Sequence, residues 1–255
     1  MSNGASTIEF HDVSFTLPDG KTLLDNLNLQ VQQGETLVLL GRSGSGKTTT
    51  MKLINRLIDP TAGEVRVDQR PTILWDPIRL RRRIGYVIQE VGLFPHLTVE
   101  ENIGVVPRLE GWPPERIHAR ARALLSLVGL DPERFAGRFP RELSGGQRQR
   151  IGVARALAAD PPIILLDEPF GALDPITRRE IQREFKSLQQ ELKKTMIFVT
   201  HDIAEAFVLG NRIALLKDGQ LVLLDAPAGL LRSTHPEARA FAECFHDMQG
   251  TGNTA

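Results

Sequence analysis

Residues Gly41-Arg42-Ser43-Gly44-Ser45-Gly46-Lys47-Thr48 match the phosphate-binding pattern G-x-x-x-x-G-K-[ST] at every fixed position. Glycines so placed let successive backbone N–H groups turn toward one point, and a phosphate-sized anion is held there without side chains. Lys47 can then reach β- and γ-phosphates and the Thr48 hydroxyl can sit on Mg²⁺, with Thr49 next in the same nucleotide-binding set. At average residue usage such a match arises by accident about once in a hundred chains of this length, so nucleotide binding is the expectation. Two further stretches could do chemistry beside it. Ile163-Ile164-Leu165-Leu166 reads as a buried strand that delivers Asp167 and Glu168 at its carboxyl end. Neighbouring side chains on a strand point to opposite sides, so Asp167 is assigned to the Mg²⁺ shell and Glu168 to deprotonating the attacking water. Leu143-Ser144-Gly145-Gly146-Gln147 is a second glycine-containing helix start, again offering free N–H groups and a positive dipole end. A single γ-phosphate could be clamped between the two glycine helices, from one copy or from two.

The elements needed to position these groups are readable in order. Ile8 to Phe15 and Thr22 to Val31 alternate as strands around a turn at Asp19-Gly20, which makes an antiparallel layer. Thr36 to Leu40 is a strand and Thr49 to Leu57 a helix, with the phosphate loop between them. Asp59 to Gly63 reads as a turn, Glu64 to Asp68 and Ile84 to Ile88 as strands, and the basic cluster Arg79 to Arg83 as a solvated face. Ile117, Ala121, Leu124, Leu125 and Val128 mark a helix face closed by Gly129, and Ser144 caps a helix over Gly145 to Ala158. With no strand pattern between Gln89 and Pro162, a helical subdomain is expected over about 90–162. Asp174-Pro175 opens a helix with Ile181, Phe185, Leu188 and Leu192 on one face, and a strand at Thr195 to Thr200 leads to His201 and a short helix from Asp202. Arg212 to Lys217 and Gln220 to Leu224 form a hairpin about Asp218-Gly219, and a flexible tail is expected over 246–255. Alternating strands and helices imply a mainly parallel sheet with ligands at its carboxyl edge.

Composition narrows the classes. Thirty-one basic residues balance thirty-one acidic ones, so broad attraction to nucleic acid or anionic lipid is not indicated. One cysteine, Cys244, cannot form an internal disulfide and suits a reducing compartment. No apolar run approaches the ~20 residues that span a bilayer, and Met1 to Thr7 lacks a signal-peptide core.

Together these residues resemble the ATP-binding cassette (ABC) family over nearly the whole chain. In that family the glycine loop is the Walker A motif, Ile164 to Asp167 the Walker B strand, and Leu143 to Gln147 the signature LSGGQ. Gln89 falls at the Q-loop, Ala172-Leu173-Asp174 at the D-loop and His201 at the switch histidine. The resemblance implies an α/β P-loop NTPase (RecA-like) core with an antiparallel β-layer and an inserted helical subdomain, over residues 7–245. It implies ATP and Mg²⁺ as ligands, and a head-to-tail homodimer in which Ser144, Gly145, Gly146 and Gln147 of one copy face the Walker A loop of the other. Lys47, Glu168, Gln89 and His201 would be catalytic, Gln89 would also touch Mg²⁺ and couple to the membrane partner, and Asp174 would belong to the nucleotide site. The family usually stacks an aromatic residue on adenine in the first β-layer. Here Leu17 falls at that position, with Phe15 two residues earlier on the same side of a strand, and either could make the contact.

Longer strings, Met51 to Ile58, Arg82 to Gln89 running on to Gly92 to His96, and Phe170 to Arg178, look like the ATPase subunits of osmoprotectant importers. That resemblance implies uptake of glycine betaine, carnitine, choline or related quaternary amines through separate permease subunits at the cytoplasmic face of the membrane. An extracytoplasmic substrate-binding protein would be an indirect partner, and nucleic acid would not be one. Many such subunits carry a paired C-terminal regulatory module, and sensing of that kind is not expected here. An amino-acid or other small-solute importer is the nearest alternative. An ABC-type clamp outside transport would bring long coiled-coil insertions or two cassettes, and a monomeric kinase or GTPase switch would leave the second glycine helix without a purpose.

Overall fold

The computed structural model describes residues 6–89, 92–171 and 173–250. In chain order the elements begin with β1 (Ser6–Thr16), β2 (Thr22–Gln32), β3 (Thr36–Leu40), α1 (Lys47–Ile54), β4 (Ala62–Val67) and β5 (Arg70–Pro71). Next come α2 (Pro77–Arg82), β6 (Ile84–Val87), α3 (Val99–Ile103), α4 (Val105–Leu109), α5 (Pro114–Leu127), α6 (Pro132–Phe135) and α7 (Gly145–Leu157). The chain continues through β7 (Ile163–Asp167), α8 (Pro175–Leu192), β8 (Thr195–Thr200), α9 (Ile203–Leu209), β9 (Arg212–Lys217) and β10 (Gln220–Asp225). It ends with α10 (Pro227–Arg232) and α11 (Pro236–Gly250). No helix among the described residues is long and apolar enough to cross a membrane.

Two compact units divide the chain, one from Met1–Leu80 with Thr195–Ala255 and the other from Arg81–Lys194. In the first, β2-β1-β4-β5 is an antiparallel sheet, and β3 lies between β8 and β9, parallel to both, with β10 antiparallel outside β9. Every residue of β3 and β8 is buried, the mark of parallel strands covered on both faces. In the second, β6 pairs in parallel with β7, and helices α3 to α7 lie between them in the chain. Thr98 starts α3 through a reciprocal capping box with Glu101, and Ile117, Ala121, Leu124 and Leu125 form the buried stripe of α5.

Several boundaries differ from the sequence expectation. Helix α1 begins at Lys47 and stops at Ile54, because Arg56 turns left-handed (φ 52°) and the Leu57 N–H returns to the Lys52 carbonyl at 2.8 Å. Leu57, expected on its buried face, is 47% exposed. The turn expected through Gly63 ends earlier, since Ala62 already pairs with Ser14 in β4. At Gly63 (φ 76°) a Cβ would lie 2.3 Å from the Asp12 carbonyl oxygen, where β1 bulges, so only glycine fits. Ile88 lies beyond the end of β6, and the basic cluster Arg79 to Arg83 lies largely on α2. Helices α10 and α11 were not anticipated. α11 stays helical to Gly250, so the tail expected from 246 is helical over its described part, and 251–255 lie outside the described residues.

Candidate functional site

In the first unit the phosphate loop leaves the buried end of β3 and enters α1. A Cβ at Gly41 would lie 2.4 Å from the Leu216 carbonyl oxygen of β9, and one at Gly46 (φ 103°) 2.6 Å from Leu24 Cδ2. Glycine is therefore required at both positions by close approach, whereas Gly44 (φ 81°) faces open space. Lys47 is 5% exposed, and its Nζ donates to the Gly41 and Arg42 carbonyl oxygens at 2.8 Å each, which closes the loop on itself. The buried Ser45 Oγ has no hydrogen-bond partner among the described residues, Thr48 is exposed and Thr49 half-buried. A loop with an open glycine, an unsatisfied hydroxyl and an exposed threonine at a helix start fits an anion carrying a cation on its outer side.

His201 is exposed at the end of β8. The turn that carries it is held from both sides: the buried Thr200 Oγ1 donates to Glu205 Oε2 at 2.6 Å and accepts the Asp202 N–H at 2.9 Å. Asp202 caps α9 through the Ala204 N–H. Phe15 and Leu17 are both half-buried, but they do not share a strand face as expected. β1 ends at Thr16, its register shifts between Phe15 and Thr16, and Leu17 sits in the turn, accepting the Gly20 N–H.

The second unit carries Gln89, the signature stretch, both acids and Asp174. Asp167, 6% exposed, ends β7. Glu168 lies outside the strand with φ 44°, so the alternation expected for the two acids is replaced by a left-handed turn. That turn presents the Glu168 carboxylate to Gln89, whose Nε2 donates to Oε2 at 3.2 Å. Ser144 caps α7 through a reciprocal box: its Oγ accepts the Gln147 N–H at 3.2 Å, and Gln147 Oε1 accepts the Ser144 N–H at 2.9 Å. The first-turn N–H groups of Gly145 and Gly146 are the remaining donors for an anion. Gly146 also lies close against α8, since a Cβ there would lie 3.0 Å from Thr177 Cγ2. Asp174 Oδ1 accepts the Ile176 and Thr177 N–H groups at 3.1 Å, and the Thr177 side chain first, then these backbone donors, hold the carboxyl below its ordinary range. Ala172, the first residue of the expected D-loop, lies outside the described residues.

Tyr86 carries no role in the sequence reading, although it is the penultimate residue of β6 and its hydroxyl donates to Asp167 Oδ2 at 3.4 Å. Burial, and then the Asp167 charge, push that hydroxyl up to about 12. As the only tyrosine of the chain it can be titrated alone by ultraviolet absorbance. With Mg²⁺ chelated, the midpoint of the folded protein should fall near about 12. Asp167→Asn should lower it without returning it to 10, because burial is the larger cause. The unfolded chain ionises first, so this residue's contribution to stability is present below about pH 10 and lost as pH rises to about 12. A folded-state midpoint at 10 would contradict the contact.

Residues 24–171 match the family described as ABC transporter, 148 of 255 residues. Choline transport ATP-binding protein OpuBA of Bacillus subtilis (strain 168) is 54% identical over 230 residues, covering 90% of this chain and 60% of that protein. Glycine betaine/carnitine/choline transport ATP-binding protein OpuCA of the same organism is 52% identical over 238 residues, 93% of this chain and 62% of that protein. The chain thus spans about three-fifths of the length of these curated relatives. Among solved structures, the dimeric post-hydrolysis ATP-binding cassette MJ0796 bound to ADP and Pi is 40% identical with a TM-score of 0.77, over 86% of this chain and 98% of that one. A phosphate loop closed by its own lysine, a capped glycine helix and a P-loop NTPase fold shared with solved cassettes lead to one assignment: the chain belongs to the ABC transporter family.

Proposed function

We propose that this chain is the ATP-hydrolysing subunit of an ABC importer for quaternary-amine osmoprotectants such as glycine betaine, carnitine or choline. It works as a homodimer at the cytoplasmic face of the membrane, bound to separate permease subunits, with an extracytoplasmic binding protein as the indirect source of substrate. The observation that carries the ATPase reading is the loop from Gly41 to Thr48, shaped by close-packed glycines around a buried lysine. The solute class is supported by the names of relatives more than 50% identical to this chain.

The proposed chemistry divides among the residues described. Backbone N–H groups of Gly44 to Thr48 and the Lys47 ammonium bind the phosphates, and the Ser45 hydroxyl gains the partner it lacks. Thr48, Asp167 and Gln89 would hold Mg²⁺, which would supply positive charge to neutralise the phosphates. Glu168 accepts the proton of the attacking water while the water oxygen bonds to the γ-phosphorus and the bond to the bridging oxygen breaks, giving ADP and phosphate. Gln89 keeps the Glu168 carboxylate oriented, and His201 holds the γ-phosphate. Ser144, Gly145, Gly146 and Gln147 of the second copy cover that phosphate with helix-end donors. Asp174, committed to capping α8, serves the site through the turn it fixes. Phe15 or Leu17 meets adenine. Deleting the gene should abolish uptake of labelled glycine betaine, carnitine or choline under salt stress and spare amino-acid uptake; the reverse pattern would move the assignment to another solute importer.

A further inference from the structure

The side chain of Arg42, the first variable position of the phosphate loop, is tied to the far end of the sequence. Its Nε donates at 2.6 Å to Glu237 Oε1, in the first turn of α11, and these residues are 195 positions apart. Glu237 is 7% exposed, and a carboxylate so buried is costly unless paired. Lys217 Nζ, on β9, lies 3.8 Å from the other Glu237 carboxylate oxygen, and the Glu237 backbone N–H donates to His235 Nδ1 at 3.2 Å. The hairpin that supplies Lys217 also braces the loop, with the Gly219 N–H on the Ser45 carbonyl oxygen at 3.3 Å and the Leu216 carbonyl against Gly41. Two turns further along α11, Phe245 stacks on Phe207 of α9, with ring centres 4.2 Å apart and planes 20° from parallel. α9 is the helix that starts immediately after His201. One straight element therefore touches both the residue whose carbonyl anchors Lys47 and the helix behind the histidine, along about 12 Å of helix.

We propose that α11 is a strut coupling the phosphate loop to the His201 turn, with Glu237 as the positioning residue at one end and Phe245 as the contact at the other. Glu237 draws the Arg42 side chain away from the loop mouth and fixes the carbonyl that Lys47 uses, and a shift of α11 is felt at both ends. This inference rests on the nucleotide-binding reading above. Its test uses the full chain with the fluorescent nucleotide mant-ATP, Glu237→Gln, Arg42→Gln, their double variant, and Phe245→Leu. Each single change at the pair should weaken mant-ATP binding about three- to tenfold, the range such couplings carry, and the double variant should be no weaker than the poorer single one. Phe245→Leu should shift affinity in the same direction by a smaller factor. Without nucleotide, backbone amides of 41–46 should exchange hydrogen faster in Glu237→Gln than in the wild type. Affinities within twofold of wild type, or pair effects that simply multiply, would reduce the contact to a structural salt bridge and overturn the strut. If wild type fails to bind mant-ATP, the nucleotide reading falls, and the exchange rates of 41–46 still decide for or against the strut. Should Glu237→Gln fail to fold, the exposed Arg42→Gln carries the same comparison.

Discussion

Glu168→Gln protein should bind ATP, sediment as a dimer only in its presence, and release phosphate about 10²–10⁴ times more slowly than the wild type, the range a general base contributes. The substitution keeps the side-chain shape and the oxygen that accepts from Gln89 at 3.2 Å, so the geometry at this corner survives. Glutamine occupies the left-handed backbone at 168 as glutamate does, with no new strain at φ 44°. What is lost is the capacity to take a proton from water. ATP then stays intact, and the proposed pair of half-sites stays closed on it. Sedimentation with and without ATP reads the dimer, and phosphate release reads the chemistry. Hydrolysis at wild-type speed would remove Glu168 from its assigned role. A monomer at high concentration with ATP bound would overturn the head-to-tail arrangement.

What was legible in the sequence was what is local. The glycine loop, the strand before it and the helix after it lie within twenty residues, and each is dictated by its own residue types. The cap at Ser144 is equally local, because Ser144 and Gln147 stand at the three-residue spacing a capping box needs. Glu168 marks where local reading fails. Strand alternation assumes an extended backbone, and nothing in the string Leu166-Asp167-Glu168-Pro169 announces the left-handed residue that aims the carboxylate at Gln89. Arg42 and Glu237 fail differently: a pair 195 residues apart has no signature in either neighbourhood. Helix α11 could have been found. Pro236 stands at its first turn, and Ala238 and Ala242 are buried at helical spacing. Its polar texture, continuous with the tail, concealed it. Tyr86 was placed on its strand, but its partner Asp167 arrives from a neighbouring strand through pairing that only the fold determines.

Lys47→Ala should lower affinity for ATP and ADP at least about a hundredfold and leave the weak affinity for adenosine unchanged. The loss follows from charge-assisted hydrogen bonds, each worth about 1.5–3 kcal/mol, that only an ammonium at this point can give to phosphate oxygens. The same change should also destabilise the nucleotide-free protein, by about 1–3 kcal/mol, because the Gly41 and Arg42 carbonyl oxygens both lose the donor they share. Lys47→Arg should not restore binding: the side chain is 5% exposed, and the pocket that holds a compact ammonium between two carbonyls cannot take a planar guanidinium without moving them. Isothermal calorimetry with ATP, ADP and adenosine separates the phosphate term from the base term, and denaturant unfolding reads the loop's own stability. If adenosine and ATP lost affinity equally, the damage would lie in the fold and not in the phosphate contact. If ATP bound undiminished to the alanine variant, the loop from Gly41 to Thr48 would be a turn that merely resembles a phosphate site.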